Sequence, residues 1–407
     1  MSVDVPAGVE SDVAFDHHSA EFAADPWPIL AELRARCPVA HSSTYGGFWV
    51  LTRYDDIRRV ASDDETFSSA ETILIPPKKN VNQKSIPIEM DPPEFLEFRR
   101  VLHPMFSQAA VERLTPVIER FAHHCIDEII EHGELDFVHD LADPLPAMTT
   151  LHKLGLPVED WRMFAEPLHK TVFLRQDNPL RANVLTELGQ VAEVIRAAIA
   201  ARRQTPRDDM ISYLVRSEAF GEPVTDYAAF EMIMLTLQGG LDTTGSAISN
   251  ALLHLDRDRA HRRCLIEDPG LLPDAVEELL RFEAPQMALA RTAKRDVTIG
   301  GRQIRAGERI LLVWGSGNRD ADAFDDPDDV VLDRSPNRHM TFGLGAHRCL
   351  GSTLARRQIF VALRAVLQRM PDYEVDHDRV VRAETIGVTY GTFALPARFP
   401  PGPRWFA

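Results

Sequence analysis

The sequence predicts a mainly α protein of the α+β class, a large helical region with small β-sheets at its periphery. Three observations lead there. From residue 92 to about 265, apolar residues recur at helical spacing. Short runs rich in β-branched and aromatic residues cluster towards the two ends of the chain. Between the last two helical stretches, residues 320–337 form a proline- and aspartate-rich meander without any period. No segment repeats and none is of low complexity. A length of 407 residues exceeds what one small core usually serves, so one large unit or two intimately packed lobes are expected. The reading is a single domain over 1–407, with residues 1–25 as a loosely ordered arm.

The elements follow in order. A helix begins after Asp25-Pro26, because 27–36 carries apolar residues at helical spacing and Cys37-Pro38 stops it. Residues 47–52 (GFWVLT) read as a strand. Residues 69–90 hold Pro76-Pro77, two consecutive lysines and no sustained period, which predicts a long irregular loop. Such loops are uncommon unless functional or disordered. The helical region breaks near Gly133, Pro157, Pro179 and Gly221-Glu222-Pro223. Thr225 or Asp226 caps a long helix expected to continue to about residue 255. A further helix is expected over 274–282, two short strands around Gly300-Gly301 within 290–312, a last helix over about 350–370, and a β-rich tail.

Composition narrows the function classes. Forty-five basic and 61 acidic residues leave a net charge of −16, which disfavours a nucleic-acid or anionic-membrane partner. Residues 1–15 carry Asp4, Glu10 and Asp12 and lack a basic stretch followed by an apolar one, so neither a signal peptide nor an anchor is expected there. No run of about 18 apolar residues occurs later. The expectation is a cytoplasmic monomer that neither enters a membrane nor binds nucleic acid.

The four cysteines, Cys37, Cys125, Cys264 and Cys349, are scattered and form no C-x-x-C pair. Zinc sites and a disulfide framework are therefore disfavoured. The first three read as buried, reduced, small hydrophobes. Cys349 is set apart by its neighbours. Residues 341–351 read TFGLGAHRCLG, with Gly343, Gly345 and Gly351 inside nine residues and an apolar helix directly after. Glycine permits positive φ and close backbone approach, so Gly343 and Gly345 suit a tight bend beneath a flat cofactor. At a helix start, the dipole and free N–H groups stabilise a thiolate, the form in which cysteine ligates a metal. A phosphate loop is the competing reading, but the G-K-[ST] ending is missing. An isolated G-x-G would be only a turn.

The helix expected from residue 225 holds a second departure from routine. It is nearly all apolar except around Gln238-Gly239-Gly240-Leu241-Asp242-Thr243-Thr244. Each interior glycine costs about 1 kcal/mol relative to alanine, and a buried carboxylate costs more unless it is partnered. A local distortion is expected where something approaches the backbone. A small-residue packing notch with a hydrogen-bonded aspartate explains the segment equally well when it is taken alone. Glu278 and Arg281, three apart on one helix, share a face, and by themselves they are an ordinary ion pair.

Phe342 to Gly351 matches F-G-x-G-x-H-x-C-L-G at every fixed position, and on that motif the chain resembles the cytochrome P450 family. The resemblance extends from about Asp25 into the tail and includes Trp49-Val50-Leu51-Thr52-Arg53-Tyr54 and Asn318-Arg319-Asp320 in the expected order. It implies a P450-like fold and haem b (iron protoporphyrin IX) ligated by Cys349, with Phe342 near the sulfur and His347 reaching a propionate. A thiolate ligand pushes electron density onto iron and favours O–O cleavage. The 238–244 segment resembles the family's distal motif. That assigns Gly239 and Gly240 to a widened oxygen groove, and Asp242 with Thr243 to proton delivery.

Further roles come only from the resemblance. Glu278 and Arg281 would form a buried network with a meander arginine, for which Arg334 is the choice. Arg291 and Arg99 would hold propionates, since guanidinium suits carboxylate recognition; Arg100 competes with Arg99. Many relatives carry a histidine four residues before that arginine, whereas this chain has Phe95. The implied activity is that of a bacterial-type haem-thiolate monooxygenase. It inserts one oxygen atom from O2 into an apolar terpenoid, steroid or fatty-acid-like substrate. Electrons would come from NAD(P)H through ferredoxin reductase and ferredoxin. Arg348, Arg356 and Arg357 form either a ferredoxin landing site or merely a solvated helix face. The rival functions are a peroxide-driven peroxygenase and a non-catalytic haem sensor or carrier. The substrate pocket is expected from the 69–90 loop, residues near 164–180, 235–242, 287–289 and 392–393.

Overall fold

A computed structural model of the chain describes residues 12–77 and 84–405. Residues 1–11 of the expected arm and 78–83 of the expected loop lie outside the described residues. The described part of the arm is folded against the body. Asp12–Val13 pairs in parallel with His41 and Ser42. Ser19 caps a short helix, Ala20–Ala24, by accepting from the Phe22 N–H. Phe15 and Phe22 are buried in a cluster with Leu30, Phe48, Met287 and Val313. Apolar burial holds the arm against the body.

The helix Pro26–Arg36 starts where expected, with the Asp25 side chain accepting from Trp27 N–H and proline at its first position. The strand Phe48–Leu51 is buried throughout. It sits inside a six-stranded sheet with the order Asp12–Val13, Val39–Ser42, Phe48–Leu51, Arg309–Leu312, Leu289–Ala293, Phe67–Ser68. Phe48–Leu51 runs parallel to Arg309–Leu312, with Val50 opposite Leu311. The 290–312 stretch yields four strands rather than two. Val297–Ile299 and Arg302–Ile304 form a hairpin over Gly300-Gly301, both at positive φ, and the flanking strands join the large sheet. The described parts of 69–90 contain no helix or strand.

The helical body comprises Glu94–Phe106, Gln108–Ile129, Pro144–Leu154, Trp161–Phe173, Val184–Gln204, Met210–Arg216, Asp226–Gly240, Asp242–Arg257, Arg259–Glu267, Leu272–Glu283 and Ser352–Arg369. Two cores organise it. One gathers Ala247, Ile248 and Leu252 with Ile118, Leu280, Val361 and Leu363. The other gathers Met232, Ile233, Leu237 and Leu241 with Leu151, Phe164, Val191 and Ile211. No helix among the described residues is long and apolar enough to cross a membrane.

The helix expected to run unbroken from Thr225 to about residue 255 is divided. Thr225 caps Asp226–Gly240 as expected, Leu241 strays from ideal helix dihedrals (φ −89°, ψ −76°) while staying in the right-handed helical region, and Asp242–Arg257 follows. The Thr243 hydroxyl donates to the Gly239 carbonyl at 3.0 Å, competing with the backbone ladder beside two poor helix formers. The break falls where the helix passes from one core to the other. Cys264 also differs from expectation: Cys37 and Cys125 are buried, but Cys264 is exposed.

Candidate active site

The cysteine loop is shaped by its own backbone. Gly343 N–H donates to Met340 O (2.8 Å), Arg348 N–H to Gly345 O (3.2 Å) and Cys349 N–H to Phe342 O (2.7 Å). Gly343 and Gly345 take φ +66° and +69°. A Cβ at 345 would run into the Ala61 carbonyl and lie 3.0 Å from Ser62 Cα, so this glycine lets the loop dock on the helix Tyr54–Ser62. Asn318 pins the other side. Its side chain accepts from Met340 N–H and donates to Thr341 Oγ1, which itself donates to Leu280 O, all between 2.7 and 2.8 Å.

Cys349 precedes the helix Ser352–Arg369 by three residues, with Gly351 as the helix's N-cap. Cys349 is exposed, yet desolvation pushes its thiol up. The open space it faces is therefore internal. The Gly351 N–H and the charges of Arg99, Arg356 and Arg348 act in the opposite direction and favour the thiolate.

Three cationic or donor groups surround the same region. Arg291 is 3% exposed. Its Nη1 donates to Ala290 O (2.8 Å), and no carboxylate lies within ion-pair distance of it among the described residues. Burial pulls its guanidinium down to about 10, with Asp64 and Asp91 resisting from farther off. Arg99 donates to Arg348 O at 2.6 Å. His347 has a buried Nδ1 without a partner, and burial followed by the Arg291 charge lowers its imidazole to about 3. A buried, unneutralised guanidinium beside an unpaired imidazole nitrogen is costly unless an anion completes the set. The carboxylates of a haem would meet that need, and Cys349 would offer a sulfur ligand to its iron.

Across the distal helix, Gln238 and Gly239 are exposed although buried residues precede and follow them. A Cβ at Gly239 would meet nothing within 4 Å, whereas one at Gly240 would lie 3.3 Å from Thr150 Oγ1. The two glycines thus differ. Gly239 borders open space and Gly240 packs towards Thr150. Thr243 is half-buried and Asp242 is buried. The Asp242 Oδ1 lies 3.2 Å from His169 Nδ1, and its Oδ2 has no partner. The Phe393 ring approaches His169 (centroids 5.0 Å apart), which brings the 392–393 segment to this region.

The expected network is assembled geometrically. Glu278 and Arg281 are fully buried and bonded at 2.7 and 2.8 Å. Arg334 Nε donates to both oxygens of Glu278 (3.0 and 3.1 Å), and Asn337 and the Val331 N–H complete the set. Arg356, however, is not free for a partner. It grips Glu277 with two bonds (2.6 and 2.8 Å) and covers the Phe342 ring at 4.3 Å. Of the three arginines near the cysteine helix, Arg348 is exposed and Arg357 half-buried.

Sequence reasoning missed His169 and Asp143. His169 Nδ1 also lies 3.7 Å from Asp143 Oδ2. Asp143 follows Asp136 and Asp140 in a locally acidic stretch, and nothing in that pattern points to residue 169 or 242. It also missed that Phe95 stacks on His347.

A family model described as Cytochrome P450 matches residues 168–386. Cytochrome P450 130 of Mycobacterium tuberculosis is 36% identical over 381 residues, covering 90% of this chain and 93% of its own. The steroid C26-monooxygenase of Mycolicibacterium smegmatis is 33% identical, covering 91% of each chain. Among solved structures, CYP109E1 from Bacillus megaterium in complex with testosterone superposes at TM-score 0.85 with 30% identity, covering 94% of this chain and 99% of its own. A mutant of P450 EryK in complex with erythromycin B reaches 0.86 with 31% identity, covering 97% and 100%. Identity sustained over nine-tenths of the length, on a matching fold and with a cysteine loop that holds an unpartnered His347 Nδ1, makes this chain a member of the cytochrome P450 family, haem-iron oxidoreductases that incorporate molecular oxygen.

Proposed function

We propose that the protein is a cytoplasmic haem b monooxygenase that hydroxylates an apolar small molecule of terpenoid, steroid or fatty-acid-like character. In this reading NAD(P)H supplies electrons through ferredoxin reductase and ferredoxin. Cys349 holds the iron, Arg99, Arg291 and His347 neutralise the propionates, and Phe342 covers the sulfur side. When bound, the thiolate-ligated haem supplies oxygen activation. Gly239 leaves room on the distal side, and Asp242 and Thr243 hold the protons that the chemistry consumes. Glu278, Arg281 and Arg334 keep the meander in place beneath the cysteine loop.

The observation that carries the reading is the buried, unpartnered Asp242 Oδ2, three residues beyond the glycine at which an added Cβ would meet nothing within 4 Å. A carrier has no use for a buried acid there, and a peroxide-driven enzyme receives its oxygen already reduced. Steroid and polyketide enzymes among the relatives support a bulky apolar substrate. The test has three parts. The reduced, CO-treated holoprotein should absorb at the thiolate position and lose that band in Cys349→His. NADH with a ferredoxin and its reductase should support product formation where peroxide does not. Asp242→Asn should keep the band and lose product; retention of full turnover would sink the assignment.

A further inference from the structure

The distal acid is the inner end of a chain of titratable groups that reaches the protein surface. His139 is exposed, and its Nδ1 lies 3.9 Å from Asp143 Oδ2. The same Asp143 oxygen lies 3.7 Å from His169 Nδ1. That nitrogen lies 3.2 Å from Asp242 Oδ1. Imidazole and carboxylate thus alternate from solvent to the distal pocket, and the two inner members are 8% and 5% exposed in their side chains.

The setting is built rather than incidental. Three separate elements supply the chain: the turn of helix Val138–Ala142 with the adjoining Asp143, the helix Trp161–Phe173, and the helix Asp242–Arg257. A Cβ at Gly245 would lie 2.8 Å from Ala142 O and 3.3 Å from Asp143 Oδ1, so the glycine allows the distal helix to approach the aspartate. His169 Nε2 and Asp242 Oδ2 are buried and have no partner. Phe173 and Phe393 flank the imidazole at 4.7 and 5.0 Å and keep the surroundings apolar. Burial raises Asp143 to about 6 against the pull of His169. Burial opposes charging of His169, but Asp143 and Asp242 outweigh it and lift the imidazole to about 9. The other charges facing these groups are Glu166, on the His169 helix, and Asp136, near Asp143.

We propose that His139, Asp143 and His169 form a proton inlet that recharges Asp242 from bulk water, an inference that rests on the monooxygenase reading above. Each transfer moves one proton and leaves heavy-atom bonds intact. Asp242 gives a proton to the distal pocket and becomes carboxylate. His169 passes its Nδ1 proton to Asp242, and Asp143 then reprotonates the same nitrogen. His139, protonated by water, restores Asp143. The 3.7 and 3.9 Å steps exceed direct hydrogen-bond length and are closed by a small side-chain swing or one bridging water. One nitrogen between two carboxylates suits this task, because the ring need not flip.

The test uses the haem-loaded enzyme and reads electrode-driven oxygen reduction in H2O and D2O, which requires neither substrate nor redox partner. Asp143→Asn should slow the reaction about tenfold and raise the solvent isotope effect. His139→Gln, at an exposed position that leaves folding intact, should do the same to a smaller extent. The thiolate CO band should stay unchanged in both. As a second readout, 15N-labelled histidines in the reduced, CO-saturated enzyme should show one imidazole titrating well above the ordinary range, and Asp143→Asn should lower it. Parental rates and isotope effects in both variants, with the band intact, would overturn the inlet alone. Absence of the band from the parent enzyme would instead remove the monooxygenase reading.

Discussion

Phe95 lies flat against His347, the ring centroids 4.0 Å apart and the planes inclined by 28°. The Arg99 guanidinium carbon sits 5.7 Å from the same phenyl ring. Phe95 is thus an apolar platform for the two groups proposed to face the propionates. Phe95→Ala should cost about 3 kcal/mol of stability, as for other buried aromatics. It should also speed haem transfer to an excess of apomyoglobin. Phe95→His should preserve haem retention, and a rate equal to that of the alanine variant would refute the platform role.

The two loop glycines should respond unequally to the same change. At Gly345 an added Cβ meets the Ala61 backbone, while at Gly343 the nearest atom is His347 O at 4.0 Å. Gly343→Ala carries only the left-handed strain, about 1–2 kcal/mol, and should load haem. Gly345→Ala must push the loop off its supporting helix and should be purified largely without haem. The ratio of Soret to protein absorbance reads the difference directly.

Glu278 gathers two arginines and one asparagine in a dry setting. Removing the carboxylate in Glu278→Ala leaves Arg281 buried without its counter-charge, at a cost of about 3–5 kcal/mol. Chemical denaturation of the holoenzyme should show that loss. A loss below about 1 kcal/mol, the range of exposed pairs, would mean that the network is not structurally important.

Stability should depend on alkaline pH through His169. Its folded value of about 9 exceeds the ordinary 6.5. The folded state therefore binds the proton more tightly, so the contribution is complete below 6.5 and disappears as pH rises through about 9. Thermal melts of the holoenzyme between pH 6.5 and 9 should fall, and His169→Gln should flatten that slope. An unchanged slope in the variant would assign the pH dependence to other groups.

What could be read in advance followed from how local each feature is. The Cys349 loop is eleven consecutive residues, and its glycines, helix start and cysteine all act within that span, so the candidate ligand was legible. Two glycines beside a polar cluster announced a distortion near residue 240. Periodicity could not show that Leu241 breaks the helix, because the Thr243 hydroxyl captures the Gly239 carbonyl. Long-range pairings were not legible. His169 meets Asp242 across 73 positions, and Arg356 meets Glu277 across 79. An arginine on a helix face looks the same in sequence whether a distant glutamate occupies it or not. The packing of Phe15 and Phe22 was not legible for the same reason, since their partners include Ile75 and Met287, far along the chain.

The parallel pairing of Phe48–Leu51 with Arg309–Leu312 places the middle of the largest sheet across more than half the polypeptide. During synthesis the early strand leaves the ribosome with an unsatisfied edge and waits until its partner has been translated. Cys349 emerges later still. The nascent chain must therefore shield an apolar ribbon for most of its manufacture, and cofactor capture can only be among the last events. Scarcity of haem during rapid expression should accordingly yield a folded but empty protein rather than a truncated or aggregated one, because the sheet closes before the ligand arrives.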